Sequence, residues 1–307
     1  MGALLAWCCA RRSVTLVKSR VGDSSMRKLK FDRNRYGNGL LIDAADMSTF
    51  DGSIVEAVPD FHVIGTIEAG GGNMRIGDHR VKVQPGTVIT ITPGMPVDLS
   101  ACWFDRATWI FFEAGFLDIL FEEPHFTYKF NFFNDPGTAP AFRPGKRSFP
   151  ACADLAREIL MELREPSGDG EQFLRAALQL LLVRLQRAHA QKGNRDGGLI
   201  TDARIQRLRF LLATRVTELR TVEAIAEELG ISRGHLHTLA QRHFGRSAKQ
   251  LIEDHRMVHA RRALLFTDAD VATIAYDLGY TDPSNFARSF RRHMGLAPAA
   301  YRAKATK

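Results

Sequence analysis

Residues 274–302 read IAYDLGYTDPSNFARSFRRHMGLAPAAYR. Ile274, Ala275 and Leu278 recur at helical spacing and predict the buried side of a short helix. Gly279 stands where a helix end commonly takes left-handed backbone geometry. Asp282 is a cap for a second helix, with Pro283 at its first helical position. Phe286 and Phe290 then share a face at i, i+4, while Arg288, Arg291 and Arg292 lie between and beyond them. The stretch predicts two helices at a sharp angle, apolar on the packed side and basic on the other, a form suited to a phosphate backbone.

The stretch has an earlier counterpart. Ile225-Ala226, Leu229-Gly230 and Ser232 match Ile274-Ala275, Leu278-Gly279 and Thr281, 49 positions on. After one extra residue in the second turn the offset is 50, and Leu236, Arg242-His243 and Gly245 match Phe286, Arg292-His293 and Gly295. Two helix-turn-helix units are therefore expected. Between them Ala248 to Leu265 reads as a long amphipathic helix. Successive major-groove faces lie about 34 Å apart, so a rigid helix of this order can seat both units on one side of a duplex. The second helix of each unit is the one expected in the groove. In the first, Ser232 is its cap, Leu236 and Leu239 face inward, and Arg233, Gly234, His237, Thr238 and Gln241 face out. In the second, Ser284, Asn285 and Arg288 face out. Arg suits guanine O6 and N7, Gln can pair with adenine, and His can donate to either acceptor. A solvated helix face is the competing reading for each of them, because positioning and readout contacts look alike in sequence.

Ile274-Ala275, Gly279-Tyr280, Asp282, Ser284, Phe286, Arg288, Phe290, Gly295, Pro298 and Tyr301-Arg302 together resemble the signature of the AraC/XylS family of bacterial transcription regulators. The resemblance implies double-stranded promoter DNA as partner, base contacts at Gly234, His237 and Thr238, and base or backbone contacts at Arg288. The first unit departs from the pattern: Thr238 and Ala240 replace the usual Arg and Phe, and Ala248 replaces a Pro. The second unit keeps nearly every position.

The 307 residues fit two domains, and the 45% hydrophobic fraction is that of a globular chain. The net charge of +8 is uneven. Residues 200–307 carry 18 Lys/Arg against 11 Asp/Glu, a net of +7, whereas residues 1–199 carry 24 against 23. A basic segment beside a neutral one points to a polyanion, although a merely solvated surface would look the same. Cys8, Cys9, Cys102 and Cys152 form neither a CxxC pair nor a zinc set, so a reducing cytoplasm is the expected compartment. No apolar run reaches the roughly 20 residues that span a bilayer.

Residues 1–25 match neither a secretory nor a myristoylation pattern and read as a disordered extension. Residues 40–133 read as short strands broken by Gly, Pro and Asp. Asn73 to Val83 forms a hairpin around Gly77-Asp78, and Pro85-Gly86 and Pro93-Gly94 bracket a strand, Thr87 to Thr92. A small barrel or sandwich follows. The stretch QPGTVITITPGMPVDL resembles the cupin-like barrel that many members of the family carry as a sensor. His62, His79 and His125 are scattered and Met95-Pro96-Val97 stands where a metal-binding cupin often has a His, so no metal, cofactor or catalytic residue is expected. The crowded phenylalanines, Phe111, Phe112, Phe116, Phe121, Phe126, Phe130, Phe132 and Phe133, are mostly core, with some available to line an apolar pocket.

Asn134 to Gly145 reads as a loop leaving the barrel. Helices are predicted from about Phe149 to Leu163 and from about Glu171 to Gln186. Leu174, Leu178, Leu181 and Leu185 make a short heptad seam in the second, widened by Phe173, Ala177 and Leu182. The resemblance implies that such a seam dimerises the chain; packing against the barrel of the same chain is the equal alternative. Gln191 to Gly198 is a polar linker.

The expected fold is thus α+β. It comprises an extension (1–25), a cupin-like β-barrel sensor (26–145), a helical dimerisation segment (146–190) and an all-α domain of two helix-turn-helix units joined by a long helix (200–307). The expected function is effector-responsive DNA binding, with a small-molecule effector, a homodimer and, for an activator, RNA polymerase as partners, and no membrane. The alternatives are a cupin-type enzyme, or a ligand-free dimerisation domain, fused to a DNA-binding domain.

Overall fold

The computed structural model describes residues 14–16, 27–31, 40–48, 56–118, 126–134, 138–190 and 202–306. Among the described residues the N-terminal half forms one nine-stranded sheet: β1 (Val14–Leu16), β2 (Arg27–Phe31), β3 (Ile42–Asp46), β4 (Glu56–Pro59), β5 (His62–Ile76), β6 (His79–Val83), β7 (Thr87–Ile91), β8 (Val97–Phe112) and β9 (Ala141–Phe142). Its main path runs β1-β2-β4-β8-β5-β7-β9, with β3 on β8 and β6 on β5. The long antiparallel pair β5 and β8 is the spine. Its register shifts between Ile67 and Ala69, between Ala69 and Gly70, and between Asn73 and Arg75. Such bulges sharpen the local twist and bend.

Alternation along these strands makes two cores. Val63, Ile67, Ile89, Ile91, Trp109 and Phe111 point to one side and join Leu29, Phe61, Met74 and Ile76. Gly65 belongs to the same side, where a Cβ would stand 2.4 Å from Trp109 Cζ3, so the missing side chain is the room the indole occupies. This face is filled by its own side chains, with Phe61 edge-on to Phe31 and Phe111 at 5.6 and 5.7 Å. Ile42, Ile64, Val88, Ile110 and Phe112 point to the other side, under the helices.

The predicted hairpin and the strand between its two Pro-Gly pairs form as expected, as β5–β6 and β7. Three details differ. Val14–Leu16, inside the expected extension, pair with β2 as an edge strand. The expected exit loop contains β9, which pairs with β7 through Val88↔Phe142 and Ile89↔Ala141. The second long helix runs further than expected.

Short helices α1 (Gly115–Asp118) and α2 (Asn131–Asn134) lead to α3 (Ser148–Arg164) and α4 (Gly170–Ala190), which pack as a pair. Leu174, Leu178, Leu181 and Leu185 are buried with Ala156, Ile159, Leu163 and the sheet. Of the two alternatives for the seam, packing within the chain is the one realised. Phe173 departs from the expected stripe: it turns outward, with Met161 and Leu180, among the exposed large apolar side chains. The expected linker, residues 191–198, lies outside the described residues.

The C-terminal half consists of α5 (Ala203–Thr214), α6 (Val222–Glu228), α7 (Arg233–Phe244), α8 (Ala248–Phe266), α9 (Val271–Asp277), α10 (Pro283–Met294) and α11 (Pro298–Thr306). It has two cores. Ile205, Leu208, Ile225, Leu236, Leu239 and Leu251 make one, and Met257, Leu264, Ile274, Phe286 and Phe290 the other. Helix α8 contributes to both, its first half to one and its second half to the other. Among the described residues, no helix is long and apolar enough to cross a membrane.

Candidate nucleic-acid interface

The repeat in the sequence is a repeat in the hydrogen bonds. Thr221 caps α6 through the Ala224 amide at 3.1 Å, and Asp270 caps α9 through the Thr273 amide at 2.6 Å. In the two turns Gly230 and Gly279 take φ of 64° and 83°, a region costly for other residues. The next amides close the turns in the same way, Ile231 to the Ala226 carbonyl at 3.0 Å and Tyr280 to the Ala275 carbonyl at 2.9 Å. Ser232 then caps α7 through the His235 amide, and Asp282 caps α10 through the Ser284 amide with Pro283 in its first turn. Both helices end on a left-handed glycine, Gly245 and Gly295. Caps and glycines of this kind set each helix angle locally, before any tertiary contact.

On α7, Leu236, Leu239 and Phe244 are buried. Arg233, Gly234, His237, Thr238 and Gln241 are all exposed. Arg233 pairs with Glu223 on α6 at 2.9 Å. The Thr238 hydroxyl donates to the Gly234 carbonyl at 3.0 Å, so it is spent on the helix and its methyl group is what remains to face outward. A Cβ on Gly234 would meet nothing within 4 Å. On α10, Phe286 and Phe290 are buried with their rings 5.7 Å apart, and Ser284, Asn285 and Arg288 are exposed. Arg288 donates to the Asn285 side chain. The eight positions therefore form two sets on two helices. Arg242, Arg291 and Arg292 add exposed cations to the same two helices at their C-terminal ends, where the helix dipole favours them.

What fixes the second set relative to the first is Glu253 on α8, which no local signal singled out. It accepts from Tyr280 Oη at 2.6 Å and from the Ser289 hydroxyl. Burial alone would raise its carboxyl; the bonds from Ser289 and Tyr280 outweigh burial and hold it below its ordinary value. The Tyr280 phenol is pushed up to about 12 by burial and by the same bond. Across the gap Arg220 lies over Gly279, its Cδ 2.5 Å from where a Cβ would be. Arg256 donates to the Arg220 carbonyl at 2.5 Å.

The β half is joined to this assembly by Arg209 on α5, which is buried. It donates to the Tyr128 carbonyl at 3.2 Å and to Asn131 Oδ1 at 2.6 Å, and lies 5.2 Å from the Phe244 ring centre at the end of α7. Burial pushes the thiols of Cys102 and Cys152 up to about 11, so neither is a ready nucleophile near neutral pH. Among the described residues no group of His, Cys, Asp or Glu is arranged to hold a metal ion.

A family model described as a helix-turn-helix domain matches residues 225–304, and one described as an AraC-like ligand binding domain matches residues 52–183. The HTH-type transcriptional activator RhaS of Escherichia fergusonii is 29% identical over 146 residues, covering 48% of this chain and 52% of that protein. The lactose operon transcription activator of Staphylococcus xylosus is 34% identical over 82 residues, 27% of this chain and 29% of that protein. The chain thus spans at most about half the length of these curated relatives. ToxT from Vibrio cholerae is similar at 15% identity and a TM-score of 0.49, over 87% of this chain and 98% of that one. With both domain models matched in order and the helix-turn-helix geometry doubled, the chain belongs to the AraC/XylS family of transcription regulators.

Proposed function

We propose that the protein is a sequence-specific DNA-binding transcription regulator whose β half responds to a small-molecule effector. The observation that carries this reading is the pair of equivalent helices, α7 and α10, each presenting a polar, cationic face away from its core. Arg233, Gly234, His237, Thr238 and Gln241 meet the bases or backbone of one major-groove segment, and Ser284, Asn285 and Arg288 those of the next. Helix α8, 19 residues and so about 28 Å long, sets their spacing. The protein acts without catalysis, in the cytoplasm, and its relatives' printed names favour activation, with RNA polymerase as the further partner. A homodimer is part of the reading: with the leucine seam used inside the chain, the outer face bearing Met161, Phe173 and Leu180 is the surface for it.

The test is anisotropy of the full chain on a duplex taken from its own upstream region and on a random duplex, across a salt series. Affinity should fall steeply with salt, by a log–log slope of about −0.9 per phosphate contacted, with tighter binding to the upstream duplex. Salt-insensitive or absent binding to both duplexes would refute the reading.

A further inference from the structure

The two helix-turn-helix units repeat in geometry but not in chemistry. At the 50-residue offset Gly234, Thr238 and Gln241 of α7 correspond to Ser284, Arg288 and Arg291 of α10. Where α10 carries two exposed arginines, α7 carries a hydroxyl and an amide. Arg233, in the first turn of α7, is turned to Glu223 on α6 at 2.9 Å. Guanine is read in the major groove chiefly by the fork of an Arg or Lys on O6 and N7. The middle of the outward face of α7, at Gly234, His237, Thr238 and Gln241, holds neither.

What α7 offers instead is an apolar notch. The Thr238 hydroxyl donates to the Gly234 carbonyl at 3.0 Å, one turn back, a bond that holds χ1 of a β-branched side chain. Its proton is spent inside the helix, and the γ-methyl group is what the side chain presents. Residues four apart stand one above the other on a helix face, with Cβ atoms about 5–6 Å apart. The residue beside Thr238 in that direction is Gly234, where a Cβ would meet nothing within 4 Å. The floor of the notch is therefore bare backbone, and one wall is a methyl group. It lies in the N-terminal half of α7, the part that a recognition helix sets against base edges. In the major groove thymine is the base that shows a methyl group.

We propose that Gly234 and Thr238 form the seat for the 5-methyl group of one thymine, so that the first unit selects that base by apolar contact. The proposal rests on the DNA-binding reading given above and names what one part of that surface recognises. The rival contact is polar: the Thr238 oxygen keeps lone pairs and can accept from the amino group of adenine or cytosine. The two contacts choose different bases and depend on different atoms of the same side chain, so they separate cleanly. Removing one methyl group from water is worth about fourfold in affinity, which sets the size of the effect.

In the experiment the full chain and its Thr238→Ser and Thr238→Val variants each enrich duplexes from a random-sequence pool. Thr238→Ser keeps the hydroxyl and loses the methyl group; Thr238→Val keeps a methyl group and loses the hydroxyl. Wild type and Thr238→Val should enrich thymine at one position where the Thr238→Ser pool is indifferent. Anisotropy on the wild-type consensus duplex, with thymine or uracil at that position, then isolates the methyl group. Uracil should weaken wild type and Thr238→Val by about fourfold and Thr238→Ser by less than about twofold. Gly234→Ala closes the notch and should narrow the difference between the two duplexes. A damaged fold weakens binding to all duplexes alike and leaves the preference at a single position unmoved, so that preference is the readout. A Thr238→Ser pool that keeps every thymine preference of wild type, a different base chosen by Thr238→Val, or equal binding of the thymine and uracil duplexes by wild type overturns the proposal. A wild-type chain that enriches no sequence at all fails the regulator reading itself, and the proposal falls with it.

Discussion

His237 and Arg288 occupy exposed positions on α7 and α10, but their surroundings differ. His237 follows buried Leu236 and has no hydrogen-bond or ion-pair partner among the described residues, whereas Arg288 is already oriented by Asn285 on its own helix. A free imidazole can commit to one base edge; an arginine held near the helix N-terminal half can hold a phosphate. His237→Ala should therefore cost about 1–3 kcal/mol on the preferred duplex and much less on random DNA. Arg288→Ala should weaken both nearly equally and flatten the salt slope by about one unit. Binding of each variant to both duplexes over a salt series checks this, with circular dichroism confirming the fold. Equal losses on the two duplexes for His237→Ala would remove it from base readout, and a loss confined to the preferred duplex for Arg288→Ala would reverse its role. The eight outward positions were legible because each follows from helical phase relative to buried Leu236 or Phe286. Thr238 was less legible: only the structure places its hydroxyl on the Gly234 carbonyl.

At the scale of an element, α7 carries an apparent flaw. Gly234 sits in its first turn with open space where a side chain would be, and its φ is not among the positive ones. Gly inside a helix costs roughly 0.5–1 kcal/mol relative to Ala. Gly234→Ala should thus raise the stability of the chain by about that much, read as a higher urea midpoint at unchanged slope. Close approach to DNA is the remaining reason for glycine, so the same variant should bind the upstream duplex more weakly. A variant that is stabler and binds as well as wild type would remove Gly234 from the interface. Helix α4 shows the reverse case. Its leucine spacing was plain, but two heptads fit a neighbouring helix of the same chain as well as one of another chain. The partner was settled by α3 and the sheet, which cover Leu174, Leu178, Leu181 and Leu185.

For the whole molecule, the histidines between the two halves couple acidity to folding. Burial first, then the charge of Arg262, lowers His62 to about 3; burial first, then His259 and Arg209, lowers His255 to about 3. Both start from 6.5 in the unfolded chain. Between these values the unfolded chain binds more protons than the folded one, so stability rises with pH in that window. It is complete above about pH 6.5 and drains as pH falls toward about 3. His259, lowered by burial against its 2.7 Å bond to the Ala213 carbonyl, acts in the same sense. Urea midpoints measured in steps between about pH 7.5 and 5 should fall, and His62→Phe, which can stack on Phe112 and meet Phe133 edge-on as the imidazole does, should lose part of that fall. An unchanged slope in the variant would show that His62 does not contribute.

The sequence by itself determined the two helix-turn-helix units, their caps, their left-handed glycines and their outward faces, because every one of those signals acts within about one helix and its turn. It also determined the β5–β6 hairpin and β7, through Gly and Pro at positions where the backbone must turn. Tertiary structure alone decided that one face of the sheet is filled by its own side chains, that Glu253 clamps the second unit, and that Arg209 reaches Tyr128 and Asn131 from 78 or more positions away. Arg261 is the clearest instance. In the chain it reads as one of two adjacent arginines on an amphipathic helix, which ordinarily face water. Its burial depends on the β5–β6 turn, more than 180 residues earlier, closing over it, and no local pattern encodes a neighbour at that distance.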